Sequence, residues 1–210
     1  MMKERPILFS GEMVRAILDG RKTMTRRVCK YQPSMSVRKA GPMWGIKGGD
    51  ALWDFGNKIV SCPYGQPGDF LWVREAWMPF TEQGCPVGAT IYRATDHPEP
   101  DGDSPLRWNP SIFMPMSASR ITLEITAVRV ERVQDISADD VQAEGIDVVA
   151  KLPVFISPKK SMESLVALSK TIAQSLYKEL WDSLNAKRGC GWDANPWVWV
   201  LSFKRVKGGE

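Results

Sequence analysis

The sequence predicts an α+β fold, in which mixed β-structure is flanked by helices and interrupted by long loops, and three stretches carry that expectation. Between Ser119 and Arg132, residues Ile121, Leu123, Ile125 and Ala127 fall on one face and Thr122, Glu124 and Thr126 on the other, as expected of a barrel stave. Trp197, Trp199, Leu201 and Phe203 alternate in the same way with Val198, Val200, Ser202 and Lys204. From Ser161 to Leu184 the period becomes helical, placing Leu165, Leu168, Ile172, Leu176, Leu180 and Leu184 on one side.

Taken in order, Pro6 to Phe9 is a short apolar strand, and Ser10 can cap a helix over Gly11 to Asp19 with Met13, Val14, Ile17 and Leu18 as its stripe. Gly20 supplies a left-handed stop. After it, the β-branched Thr23, Thr25 and Val28 favour extension. Residues 29 to 66 read as an irregular flap with one hairpin, rich in Gly and Pro and carrying Trp44, Trp53, Phe55 and Tyr64. Phe70 to Trp77 is a strand that ends in the adjacent charges Arg74 and Glu75. Burying either unpaired would cost several kcal/mol, so they are expected to pair or to line a cavity.

Residues 78 to 118 form a second insertion, with a strand at Thr90 to Ala94 and a Pro-Asp-Gly tip that holds the one histidine, His97, read as solvent-exposed. Val128 and Val130 change the phase of the long strand. Ser137 and Asp140 make a capping pair for a helix that runs to Glu144 and stops at Gly145. Glu144 therefore sits in a last helical turn, where the dipole opposes carboxylate charge and favours the neutral acid. Residues 147 to 160 are a Pro-punctuated connector.

Composition bounds the function. With 210 residues, 43% hydrophobic and 25% charged, the chain is expected to form one domain with insertions at about 29–66, 78–118 and 147–163. A formal charge of +4 is too mild for a histone-like protein, so any anionic partner must be met locally. Cys29, Cys62, Cys85 and Cys190 lack zinc or redox spacing, and no metal or cofactor is implied. No run of 18 apolar residues exists and the first residues do not resemble a signal peptide, so a cytoplasmic, non-membrane protein is expected.

The densest chemistry lies in Gly20-Arg21-Lys22-Thr23-Met24-Thr25-Arg26-Arg27, four cations and two hydroxyls in eight residues. Arginines grip planar anions through a fork of donors, and a lysine changes protonation state when desolvated. Composition alone is equally satisfied by a solvated basic helix exit. Arg21, Arg26 and Arg27, with Trp44, Trp53, Arg74 and Glu75, are the candidate contacts for substrate or nucleic acid.

The spacing Gly20-x-Lys22-x-x-Thr25-x-Arg27 resembles the signature of the ASCH family, small β-barrels related to the PUA domain. The Pro67-Gly68-Asp69 turn opening Leu71 to Glu75, the segment Ile136 to Ile146 and the strand Trp197 to Val206 agree in order. The whole is similar to ASCH proteins encoded by phages and prophages, and Trp108 to Pro115 resembles a box of that group. The resemblance implies a PUA-like mixed β-barrel in a bacterial host cell.

It also implies one of two functions: an RNA-binding or RNA-cleaving module, or an amidohydrolase that removes the acetyl group from N4-acetylcytidine. In the hydrolases a lysine, a threonine and a glutamate act, carried here onto Lys22, Thr25 and Glu144. The general signature has glutamate where Thr25 stands, which tilts the comparison toward the hydrolases. The implied partner is a modified nucleoside or single-stranded RNA. In a regular strand Lys22 and Thr25 point to opposite faces, so a catalytic pair needs a bulge or helical turn between them.

Overall fold

The computed structural model describes residues 2–32, 43–47, 50–54, 59–79, 89–96, 107–148 and 162–206, without the side chains of 43–47, 50–54, 59 and 162–168. His97, Ser161 and most of the connector after Ile146 lie outside the described residues. The chain divides into two compact units, one of Met1–Gly20, Pro63–Thr126 and Phe203–Glu210, the other of Arg21–Cys62 and Ala127–Ser202.

In the first unit β1 (Glu4–Leu8) pairs parallel with β6 (Phe70–Arg74), which pairs antiparallel with the first residues of β9 (Thr122–Arg132). β1 is an edge strand, which is why Pro6 is tolerated in its middle: a missing N–H costs nothing on the unpaired side. Helix α1 (Gly11–Leu18) begins where the Ser10 hydroxyl accepts the Met13 N–H, and Gly20, at φ 75°, ends it as expected. Val14 and Ile17 are buried, as their spacing requires. The short strands β7 (Trp77–Pro79) and β8 (Thr90–Tyr92) form a separate antiparallel pair.

Arg74 and Glu75 do not pair with each other. Adjacent residues of an extended chain point to opposite faces. Glu75, 1% exposed, instead takes a two-pronged pair from Arg120, Nε to Oε1 at 2.9 Å and Nη2 to Oε2 at 3.0 Å. Arg120 also lies 3.9 Å over the Tyr92 ring and donates to Thr95. Arg74 stacks 4.5 Å over Trp72 and donates to the Ile112 carbonyl.

In the second unit β2 (Met24–Val28) pairs antiparallel with β10 (Trp197–Val206), and β10 neighbours β9. Strands β3 (Met43–Lys47), β4 (Asp50–Asp54) and β5 (Ile59–Ser61) make the hairpin structure expected in the flap. Trp44 stands directly opposite Trp53 in it, with both side chains outside the description. Helices α2 (Ala138–Ala143) and α3 (Met162–Asn185) cover a core of Val133, Ile136, Val141, Val148, Ala173, Tyr177, Trp181, Val198 and Val200.

The buried spine of α3 is Ala173-Tyr177-Trp181, one position round from the leucine stripe. Leu176 and Leu180 flank it and Leu184 is exposed. Hydropathy favours leucine, but large aromatic rings fill the space nearest the sheet, and Trp181 finds a partner for its N–H in the Cys190 carbonyl. The α+β class holds. The barrel does not: β1 and β2 end their ladders, so among the described residues no sheet closes on itself.

Candidate functional site

The site lies wholly in the second unit and begins with how α2 ends. Gly145, at φ 91°, donates its N–H to Gln142 O at 2.9 Å, and Ile146 N–H reaches back to Val141 O at 3.3 Å. These two bonds are a Schellman closure, with Ile146 and Val141 supplying the apolar clasp. They leave Glu144 at the C-cap position. At the other end the Ser137 hydroxyl accepts the Asp140 N–H at 3.1 Å, the capping expected from the sequence.

Backbone pairing then sets Lys22 opposite Glu144: Thr23 N–H donates to Ala143 O at 2.8 Å and the two residues form an isolated antiparallel bridge. Lys22 Nζ donates both to the Glu144 carbonyl at 2.9 Å and to Glu144 Oε2 at 2.6 Å. The Lys22 side chain is 0% exposed and that of Glu144 4%. Glu144 is therefore no frayed surface residue. Burial pushes the Lys22 amine below its ordinary value of 10.5, the Glu144 carboxylate opposes that shift, and the charges of Arg27 and Arg26 reinforce it.

Arg26 holds the other carboxylate oxygen, Nη1 to Glu144 Oε1 at 3.3 Å. Its Nε and Nη2 bind Glu131 Oε1, and Nη2 also reaches Asp140 Oδ2 at 2.6 Å. Arg129 braces the same two acids, Nη2 to Asp140 Oδ2 at 2.6 Å and Nε to Glu131 Oε2 at 3.0 Å. The guanidinium of Arg26 lies 5.8 Å over the Tyr177 ring, whose hydroxyl is pushed well above 10 by burial and by the Glu144 charge.

Of the residues expected from sequence, Lys22, Arg26 and Glu144 meet here. Alternation along β2 puts Arg26 on the face of Met24 and Val28, toward this unit's core, and Thr25 and Arg27 on the other face. Thr25 is buried there, 3% exposed. Arg21 is exposed and donates to Gly145 O at 3.1 Å. Arg74 and Glu75 belong to the first unit. So does a cavity of about 270 Å³ lined by Ser10, Gly11, Arg15, Ala76 and Arg93, and none of the residues expected at the site borders it.

Arg129, Glu131, Asp140 and Tyr177 were not expected from sequence. A signal existed for two of them, since Arg129 and Glu131 are two apart in a strand and share a face. Asp140 was legible only as half of a cap, and Tyr177 was hidden beside the leucine stripe. Among the described residues no group of three His, Cys, Asp or Glu is arranged to hold a metal ion, and no helix is long and apolar enough to cross a membrane.

No family model and no curated protein matches the chain. Among solved structures it is similar to the high-resolution crystal structure of an ASCH domain from Lactobacillus crispatus JV V101. The match covers 97% of this chain and 79% of that one, at 13% identity and a TM-score of 0.39. At that identity and score the likeness carries no argument about activity.

Proposed function

We propose that the chain is an ASCH-type hydrolase acting on a modified nucleobase or nucleoside, most specifically by amide hydrolysis of an N4-acylcytidine-type substrate. The observation that supports it is a fully buried lysine, depressed in basicity, 2.6 Å from a buried carboxylate oxygen. A structural pair has no need of a group that can lose its proton. A hydrolase does.

In one version, which requires the chain between Lys22 and Thr25 to depart from strand alternation, the Thr25 hydroxyl attacks the acyl carbon and Lys22 takes its proton. The proton crosses to Glu144 and then to the departing cytosine amine as the C–N bond breaks. Water hydrolyses the acyl-threonine and returns the enzyme to its starting state. Because Thr25 lies on the face of β2 opposite Arg26, a second version has Lys22 activate a water directly, with Glu144 unchanged in its role. Arg21 and the Trp44–Trp53 hairpin are assigned to holding the substrate, where stacking on its base contributes about 1 to 3 kcal/mol per ring.

A non-catalytic RNA-binding module would grip phosphates with the arginines of β2. The fork of Arg26 is committed to protein carboxylates, which counts against it. A single-stranded RNA ribonuclease would leave RNA fragments.

The test is release of free cytidine from a panel of N4-acylated cytidines, followed by chromatography. Wild type is expected to release cytidine and Glu144→Gln to fall about 10²-fold or more. Loss in Thr25→Ala selects the threonine as nucleophile, and retention selects water. No release by wild type, with salt-sensitive RNA binding in its place, would contradict the hydrolase.

A further inference from the structure

The contacts around Glu144 give its two oxygens to different cations. Oε2 faces Lys22, which can lose a proton; Oε1 faces Arg26, which at ordinary pH cannot. We infer that Arg26 is a positioning residue: it holds Glu144 with one oxygen turned to Lys22 and keeps a permanent positive charge on that carboxylate when Lys22 is neutral. The inference rests on the proposed role of Lys22 as a base.

Three features set this apart from an ordinary buried ion pair. The Arg26 side chain is 0% exposed, and its fork is divided among Glu131, Asp140 and Glu144, so it is not free to bind substrate. Arg129 clamps Glu131 and Asp140 from the far side, which fixes the plane of the Arg26 guanidinium. The Tyr177 ring covers one face of it.

The charges also count in its favour. Lys22, Arg26 and Arg129 face Glu131, Asp140 and Glu144, so the cluster balances when Lys22 is protonated. When Lys22 is neutral, Arg26 still neutralises the carboxylate that must accept the next proton. Without Arg26 that work falls to Lys22 alone, and the lysine would hold its proton more tightly. The groups facing Lys22 are Glu144 at the end of α2, and Arg26 and Arg27 of β2. Behind them stand Asp140 of α2, Arg129 and Glu131 of β9, and Tyr177 of α3.

The test follows the Lys22 amine directly, by carbon and nitrogen NMR titration of lysine-labelled protein, with Lys22→Met to assign the signal. Arg26→Gln is expected to move the Lys22 titration up by about one pH unit or more. Arg26→Lys, which keeps a charge but not the fork, is expected to leave it within a few tenths of a unit of wild type while kcat falls. Should Arg26→Gln not fold, Arg26→Gln with Glu131→Gln removes the charge together with one of its three carboxylate partners, leaving Asp140 to Arg129 and Glu144 to Lys22, and the same upward shift is read. A Lys22 titration unmoved in the folded neutral variant would overturn the inference, whatever the enzyme does. The titration needs no substrate, so an upward shift in a protein that hydrolyses no acylcytidine would support the role of Arg26 while the proposed substrate fails.

Discussion

Glu75 and Glu144 are both buried and both paired with a cation, and the two pairs are built differently. Glu75 is met by Arg120 through two parallel hydrogen bonds, with the guanidinium stacked on Tyr92 and a remaining donor on Thr95. Every part of that pair is held by a hydrogen bond or a stacked ring, and an arginine stays protonated. Glu144 is met by Lys22 through one short side-chain contact, and burial lowers the lysine from its ordinary value while the carboxylate opposes that shift. The first is a bidentate brace for a strand end. The second, on the proposed reading, is a pair across which a proton moves, with Arg26 holding the carboxylate still.

The contrast is sharpest in stability. Arg120→Ala strands the Glu75 charge inside the first unit and is expected to cost about 3 to 5 kcal/mol in urea unfolding. Lys22→Met leaves Glu144 with Arg26 and replaces a desolvated amine by an apolar chain, so its cost is expected to stay below about 1.5 kcal/mol. Equal costs for the two would erase the distinction.

A pH series sharpens it further. The Lys22 value is lowered in the folded state, so between that value and 10.5 the unfolded chain carries a proton on Lys22 that the folded chain does not. Stability therefore rises with pH through the window, by at most about 1.4 kcal/mol per unit, and Lys22→Met lacks this rise. Burial raises the Cys29 thiol and the Tyr177 hydroxyl from 9.0 and 10.0, so above those values the unfolded state gives up protons that the folded state keeps, and stability falls. Urea midpoints of the two proteins that run parallel throughout the window below 10.5 would contradict the assignment for Lys22.

The smallest effect concerns the helix that presents Glu144. Ser137→Ala removes the hydroxyl that accepts the Asp140 N–H and is expected to cost about 1 kcal/mol. A fall in cytidine release beyond what that destabilisation explains would mean that α2 must be rigid for Glu144 to act.

Much of this was legible in the sequence because it is local. Gly20 and Gly145 end their helices where expected, Ser10 and Ser137 cap theirs, and the alternation of 119–132 and 197–206 set two strands. Lys22 and Glu144, 122 residues apart, came from a family resemblance rather than from periodicity. What could not be read is long-range partner choice. Nothing near Glu75 in the chain points to Arg120, 45 residues on, and adjacency made Arg74 look like its partner. Arg26 looked like a free anion gripper because its three carboxylate partners arrive from β9 and α2. The open edges at β1 and β2 were invisible for the same reason: closure of a sheet depends on which strands find each other, and alternation records only which face is buried.

The measurement that bears most directly on the central claim is the rate of cytidine release from N4-acetylcytidine by wild type, Lys22→Met and Arg120→Ala, each checked for folding. Release by wild type, retained in Arg120→Ala where folded and reduced about 10²-fold or more in Lys22→Met, is the predicted result. A folded Lys22→Met protein that releases cytidine as fast as wild type would contradict it.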